Sequence, residues 1–203
     1  MAVKVKICGV RTVADARAAA GSGADFLGLN FHPASPRYVD EETAAAIAAA
    51  VHGVLLVGVF VDAPRAEMER VAQRLGLWAL QLHGEEKPAD CRGFGVRTIK
   101  ALRARPGEDM ASLAAAYDTD YLLLDSFVAG QPGGTGIAFD PARAHGLAAG
   151  RLFVAGGLRP ETVAAAVRQL RPFAVDVASG VEGAPGIKDH GKIEDFIRRA
   201  KAA

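Results

Sequence analysis

The sequence predicts a single (β/α)8 barrel over residues 1–203, and three observations carry the prediction. Eight short β-rich runs alternate with stretches of good helix formers, an order that implies parallel pairing because each return connection has to cross a face of the sheet. The repeat is regular and holds no long insertion or Pro/Ser-rich linker of the kind that separates domains. Polar and glycine residues gather at the C-terminal ends of the runs; a barrel brings those ends to one mouth, whereas an open doubly wound sheet spreads them along an edge.

In order, the predicted strands are 3–7, 25–31, 55–61, 79–83, 98–102, 121–125, 152–155 and 175–178. The third, LLVGVFV, is almost continuously apolar, as expected of a strand buried on both faces. The segments between them are rich in Ala, Arg, Glu and Leu and carry helix-start signals. Thr12 with Asp15 resembles a capping box, Asp40 precedes Glu41 and Glu42, and Asp140-Pro141 and Arg159-Pro160 set proline near a first helical turn. Barrels of this kind span roughly 200 to over 400 residues, so a chain of 203 requires short loops on the lower face.

Half of the chain is apolar, and Lys+Arg 24 nearly balance Asp+Glu 23. That charge gives no broad field for nucleic acid or an anionic membrane surface, so the expected partner is a small molecule held by local groups. The start, MAVKVKICGV, lacks a cationic region followed by a long apolar one, and the longest apolar runs are strand-sized. The expected location is the cytoplasm, and monomer and homodimer both fit. Two cysteines, Cys8 and Cys91, are too few for a disulfide scaffold. No CxxC or HxxxH pattern occurs and the histidines at 32, 52, 83, 145 and 190 are scattered, so no metal site is expected.

Two glycine clusters, Ala155-Gly156-Gly157-Leu158 and Ala178-Ser179-Gly180-Val181, directly follow the last two strands. Glycines after strands commonly do no more than make tight turns. Two clusters in consecutive units, where barrels usually bind phosphate with the help of a short extra helix, point to an anion cradle. Gly133-Gly134-Thr135-Gly136, after strand six, could close over the same ligand.

Cys8 ends the first strand beside Gly9, and Lys6 shares its side by period two, where a cation favours the thiolate. Without a metal set, a thiolate there serves as nucleophile or proton acceptor. Asp125 ends strand six, on the roughly opposite side of the mouth. A carboxyl group in a partly apolar mouth can be held protonated and act as a general acid near neutrality. Acid facing base across a sugar phosphate is what an aldose–ketose isomerisation needs. Further mouth candidates are His83 after strand four, Arg37, whose guanidinium could take a ligand carboxylate bidentately, and Asp176 in strand eight, whose direction depends on register.

The motifs KICG at 6–9, SPRYV at 35–39, VGVF at 57–60, QLHG at 81–84, LLLDS at 122–126, GGTG at 133–136, AGGL at 155–158 and DVASGVE at 176–182 span nearly the whole chain. Together, and in this order, they resemble the phosphoribosylanthranilate isomerase family of tryptophan biosynthesis. The resemblance implies a cofactor-free and metal-free Amadori rearrangement of N-(5-phosphoribosyl)anthranilate to 1-(2-carboxyphenylamino)-1-deoxyribulose 5-phosphate. In it Asp125 would protonate the furanose ring oxygen and Cys8 would take the C2 proton. Arg37 would meet the anthranilate side, and Gly134, Gly157 and Ser179-Gly180, with Gly156 beside them, would cradle phosphate through their backbones. One departure is Ala178, where the family usually has serine; it removes a hydroxyl donor but leaves the backbone amides. Two alternatives stand beside this reading. A histidine-pathway aminoaldose phosphate isomerase resembles the pattern but would carry aspartate where this chain has Cys8, and a non-catalytic phosphate-binding barrel would keep the cradle without the chemistry.

Overall fold

The computed structural model describes residues 2–103, 108–125, 144 and 147–203. Eight parallel strands close into a barrel in sequence order: β1 Lys4–Cys8, β2 Phe26–Asn30, β3 Leu55–Phe60, β4 Ala79–Leu82, β5 Arg97–Arg103, β6 Tyr121–Asp125, β7 Leu152–Ala155 and β8 Ala174–Val177. The seam closes where β1 meets β8, with Lys6 beside Asp176. All eight predicted strands are present, with no end shifted by more than one residue. The last leaves the sheet at Val177 because Ala178 turns to φ −120, ψ −80.

Outside the strands lie α1 Val13–Gly21, α2 Glu41–Ala50, α3 Arg65–Leu75, α4 Met110–Ala115, α5 Pro160–Leu170 and α6 His190–Lys201. The expected caps form where they can be seen. Thr12 Oγ1 accepts from Asp15 N at 3.1 Å and Asp40 Oδ1 from Thr43 N at 2.7 Å, while Pro160 opens α5. The reciprocal half of the box at α1 is missing, because the Asp15 carboxylate meets His190 Nε2 at 2.8 Å and ties α1 to α6. Asp140-Pro141 lies outside the described residues. After β4 the expected helix shrinks to one 3-10 turn, Pro88–Cys91, since Gly93 at φ +72 and the following glycine cut the segment short. A two-stranded hairpin that sequence reading did not foresee, β9 Glu182–Ala184 with β10 Ile187–Lys188, follows β8.

Strand alternation sorts the core into two shells. Residues such as Ile7, Leu29, Leu80, Leu124 and Val177 face the helices, whereas Phe26, Val57, Ile99, Leu123 and Phe153 fill the interior. Toward the N-terminal ends of the strands, Phe26, Trp78, Tyr121, Phe153 and Phe173 form a tilted aromatic plug, with Tyr121 and Phe173 centroids 4.7 Å apart and Phe26 and Phe153 5.5 Å apart. The plug closes the lower end, so the opposite end alone is left to open as a mouth. Phe153 touches three of these rings and is fully buried. Phe153→Ala is expected to cost about 3–5 kcal/mol of unfolding free energy, measured by urea denaturation; a loss under about 1 kcal/mol would contradict the plug as a packing centre.

Candidate active site

The C-terminal strand ends surround a cavity of about 720 Å³. Cys8, Arg37, His83, Asp125, Gly156, Gly157, Asp176, Ser179 and Gly180 all line it, so every predicted site residue within the described part of the chain reaches one space. Gly134 lies outside the described residues.

On the β1 side, alternation turns both Lys6 and Cys8 inward. Lys6 is fully buried, and its Nζ sits 3.0 Å from Asp176 Oδ1 on the neighbouring strand. The register thus answers the question left by Asp176, which points into the barrel. A Cβ on Gly28 of β2 would lie 2.8 Å from Cys8 Sγ and 3.1 Å from Lys6 Nζ; glycine there makes room for thiol and ammonium together. Burial pushes the Cys8 thiol up, Lys6 pulls it down, Asp176 pushes it up again and Lys188 pulls it down, and the balance lies above the ordinary thiol value. The expectation that Lys6 favours the thiolate therefore holds for the lysine's own influence, but desolvation outweighs it.

Across the cavity, burial raises the Asp125 carboxyl above the usual range, Asp176 adds to the rise and Arg103 opposes it, in the direction the sequence predicts. His83 Nε2 lies 3.8 Å from Asp125 Oδ2, too far for a hydrogen bond. Burial, with the cations of Lys6, Arg103 and Lys100, pushes His83 down to about 4, so the ring is neutral near pH 7.

Arg37 departs from expectation. Its Nε and Nη2 grip Glu182 Oε1 and Oε2 at 2.7 and 2.8 Å, so the bidentate edge expected to take a ligand carboxylate is occupied and Nη1 is the amino group outside the pair. Its stem crosses over Gly9, where a Cβ would lie 2.5 Å from Arg37 Cδ. Glu182 also holds Lys188 Nζ at 3.0 Å, and that ammonium donates to Ala178 O at 2.9 Å. Burial would raise the Glu182 carboxyl, but Arg37 and Lys188 hold it below its ordinary value. Sequence reading quoted Glu182 only as the end of a motif and passed over Lys188. Their signal was two charges flanking a glycine-rich hairpin, which says nothing about a partner 145 residues away.

The two glycine loops meet at the cavity edge. Gly156 and Gly157 take φ +83 and +66, a conformation that disfavours any side chain. A Cβ on Gly180 would stand 1.9 Å from Leu158 O, so the loop after β8 can pack on the loop after β7 only as glycine. The expected extra helix is one 3-10 turn, Ser179–Val181.

Fold and site together define an α/β-barrel enzyme whose mouth opposes a thiol and a carboxyl raised above its usual range, beside two glycine loops. The model of the N-(5'phosphoribosyl)anthranilate (PRA) isomerase family matches residues 5–199, and the chain belongs to that family. It is 47% identical over 203 residues to N-(5'-phosphoribosyl)anthranilate isomerase of Pseudomonas putida (strain W619), covering 99% of this chain and 98% of the relative. With the Myxococcus xanthus (strain DK1622) protein of the same name it shares 48% over 208 residues, covering 100% and 98%. The crystal structure of phosphoribosyl anthranilate isomerase from Thermotoga maritima superposes with a TM-score of 0.91 at 39% identity, covering 99% of this chain and 100% of the other. A structure of that enzyme type in complex with reduced 1-(o-carboxyphenylamino)-1-deoxyribulose 5-phosphate gives a TM-score of 0.84, also at 39% identity and the same coverage.

Removing the Glu182 carboxylate would strand buried Lys188 and half-buried Arg37 together. Glu182→Ala is expected to cost about 3–5 kcal/mol in chemical denaturation, and an unchanged midpoint would show that the two cations find other partners.

Proposed function

We propose that this chain converts N-(5-phosphoribosyl)anthranilate to 1-(2-carboxyphenylamino)-1-deoxyribulose 5-phosphate, with Asp125 as general acid and Cys8 as general base. The observation that carries the assignment of roles is the opposition across one cavity of a carboxyl held above its usual range and a thiol with Lys6 within its reach. Membership of the family over residues 5–199 supports the substrate. A histidine-pathway substrate is disfavoured by the thiol at the strand-one position.

Asp125 gives its proton to the furanose ring oxygen, the C1 to ring-oxygen bond breaks, and the anilino nitrogen becomes an iminium. Cys8 removes the C2 proton, the electron pair moves to neutralise the iminium, and the enol amine tautomerises to the ketose. The substrate's own amine is the electron sink. Gly156, Gly157, Ser179 and Gly180 offer backbone amides to the phosphate, with Gly134 as a further contributor. Ala178 keeps its place in that loop through its carbonyl, held by Lys188, and its lost hydroxyl is tolerable where amides bind the anion. Arg37 meets the anthranilate carboxylate through Nη1 and through its charge. His83 contributes a neutral ring, and Asp176 holds Lys6 in place. A small molecule is the partner such a cavity fits, and two unpaired, buried thiols suit a reducing cytoplasm.

The test follows substrate fluorescence for wild type, Cys8→Ser and Asp125→Asn, corrected for spontaneous decay. Both variants should keep the wild-type fold and lose at least about a hundredfold in kcat, the lower end for acid–base catalysis. Turnover within a factor of a few of wild type in either would remove that residue from the mechanism.

A pH profile tests the electrostatics. The reactive form carries one proton on the pair, on Asp125, so kcat/KM should fall in acid as Asp125 and Cys8 are both protonated, and fall in alkali as both lose protons. The acid limb should lie above the ordinary aspartate value of about 3.9, because burial raises Asp125, and the alkaline limb above the ordinary thiol value of about 8.5, because burial raises Cys8. An alkaline limb near pH 7 would mean that Lys6 overcomes desolvation after all.

A further inference from the structure

Gln81, the third residue of β4, lines the cavity with a side chain that the described mechanism leaves unused. It is 1% exposed, and its Oε1 is a buried atom without a hydrogen-bond partner. Its strand neighbours in register are Val59 and Ile99, whose side chains have nothing to donate. Among the described residues the other such atom is Arg151 Nε, just before β7 and therefore toward the plugged end.

The direction of the amide follows the tautomer of His83. Gln81 Nε2 lies 2.7 Å from His83 Nδ1. A neutral His83 with its proton on Nε2 leaves Nδ1 as acceptor, so the amide donates there and its carbonyl is turned away from the ring. The His83 backbone N–H, bonded to Phe60 O at 2.8 Å, anchors the arrangement. A buried acceptor without a donor is costly, and a donor from the cavity would relieve it.

We propose that Gln81 is a substrate-binding residue whose Oε1 accepts a hydrogen bond from the C3 hydroxyl of the pentose. The inference rests on the proposed isomerase reading. In that reaction the C4 oxygen takes the proton from Asp125, C2 loses one to Cys8 while its oxygen becomes the ketone, and C5 carries the phosphate. C3 alone keeps its hydroxyl through every step. A bond to it is made alike in the ground and transition states, so it lowers KM and leaves kcat alone. It also selects a pentose carrying that hydroxyl, because a ligand without it leaves the buried oxygen unpaired.

The test compares wild type with Gln81→Leu, titrated by calorimetry with reduced 1-(o-carboxyphenylamino)-1-deoxyribulose 5-phosphate and with its 3-deoxy counterpart. Wild type should bind the deoxy ligand about tenfold more weakly, or about 1.4 kcal/mol. Gln81→Leu should bind both with the same weakened Kd, and its KM should rise about tenfold with kcat within a factor of two. The thermal midpoint should not fall. Nitrogen chemical shifts of the His83 ring report whether the variant disturbs its tautomer, an effect that would appear in kcat. Equal preference for the hydroxylated ligand in both proteins would overturn the inference, as would a variant that loses kcat at constant KM. Wild type that neither turns over nor binds either ligand would bring down the isomerase reading and this inference with it, whereas normal turnover with no hydroxyl preference brings down the inference alone.

Discussion

The buried pair of Lys6 and Asp176 is the contact that joins the seam of the barrel to the electrostatics of its mouth. It sits at the seam where the last strand meets the first, as direct register partners, with the ammonium fully enclosed and 3.0 Å from the carboxylate. Burying two charges costs several kcal/mol per ion before their attraction returns any of it, so hydrophobic residues of similar volume would close the seam as well. What hydrophobic residues could not supply is the field. Beyond the upward push of burial itself, Lys6 draws the Cys8 thiol down while Asp176 pushes both Cys8 and Asp125 up. Lys6 also adds to the burial that keeps His83 uncharged. One pair therefore closes the barrel and sets opposing influences on the groups proposed as base and acid.

Those influences carry a consequence for the proposed order of events. Burial lifts both the Cys8 thiol and the Asp125 carboxyl above their ordinary values, so each holds its proton more firmly than it would in water. The proposed reactive arrangement carries one proton on the pair, on Asp125, so the raised carboxyl favours it while the raised thiol works against it. Substrate chemistry can correct this in sequence. Once Asp125 has protonated the ring oxygen, the iminium places a positive charge in the same low-dielectric cavity, where it favours the thiolate as Lys6 does. The acid step then prepares the base step, and a thiol that looks too weakly acidic in the empty site need not be so when its proton acceptor role begins.

Much of this was legible in the sequence because it depends on local order. Strand identity follows from apolar runs, inward and outward shells from period two, and the place of two glycine loops at the mouth from glycines at the ends of runs seven and eight. The parts that were not legible are those that distance in sequence conceals. Arg37 reads as a free fork until the barrel brings Glu182 against it, and Asp176 has no direction until register fixes it. The segment after β4 is rich in helix-compatible residues, yet Pro88 and Gly93 leave only a 3-10 turn. The net state of Cys8 is not legible for a related reason: a neighbouring lysine is visible in KICG, but desolvation belongs to the closed mouth and not to any four residues.

Glu182 ties together the two sides of the mouth that the proposed reading assigns to the ends of the ligand. Its carboxylate grips Arg37 from the loop after β2 and Lys188 from β10, and Lys188 in turn holds the Ala178 carbonyl at the edge of the glycine cradle. Lys192 from α6 adds a bond to the Glu182 backbone oxygen at 2.8 Å. The Arg37 guanidinium and the glycine loop proposed to take the phosphate are thus tied through one buried side chain, which fixes their separation. Preorganisation of this kind saves the entropy of ordering two loops during binding. It also gives the occupied face of Arg37 a purpose: a fork held rigidly by Glu182 offers less to a carboxylate in hydrogen bonds but offers it in one place, and a ligand whose phosphate and carboxylate are separated by a fixed pentose and ring can exploit that constancy.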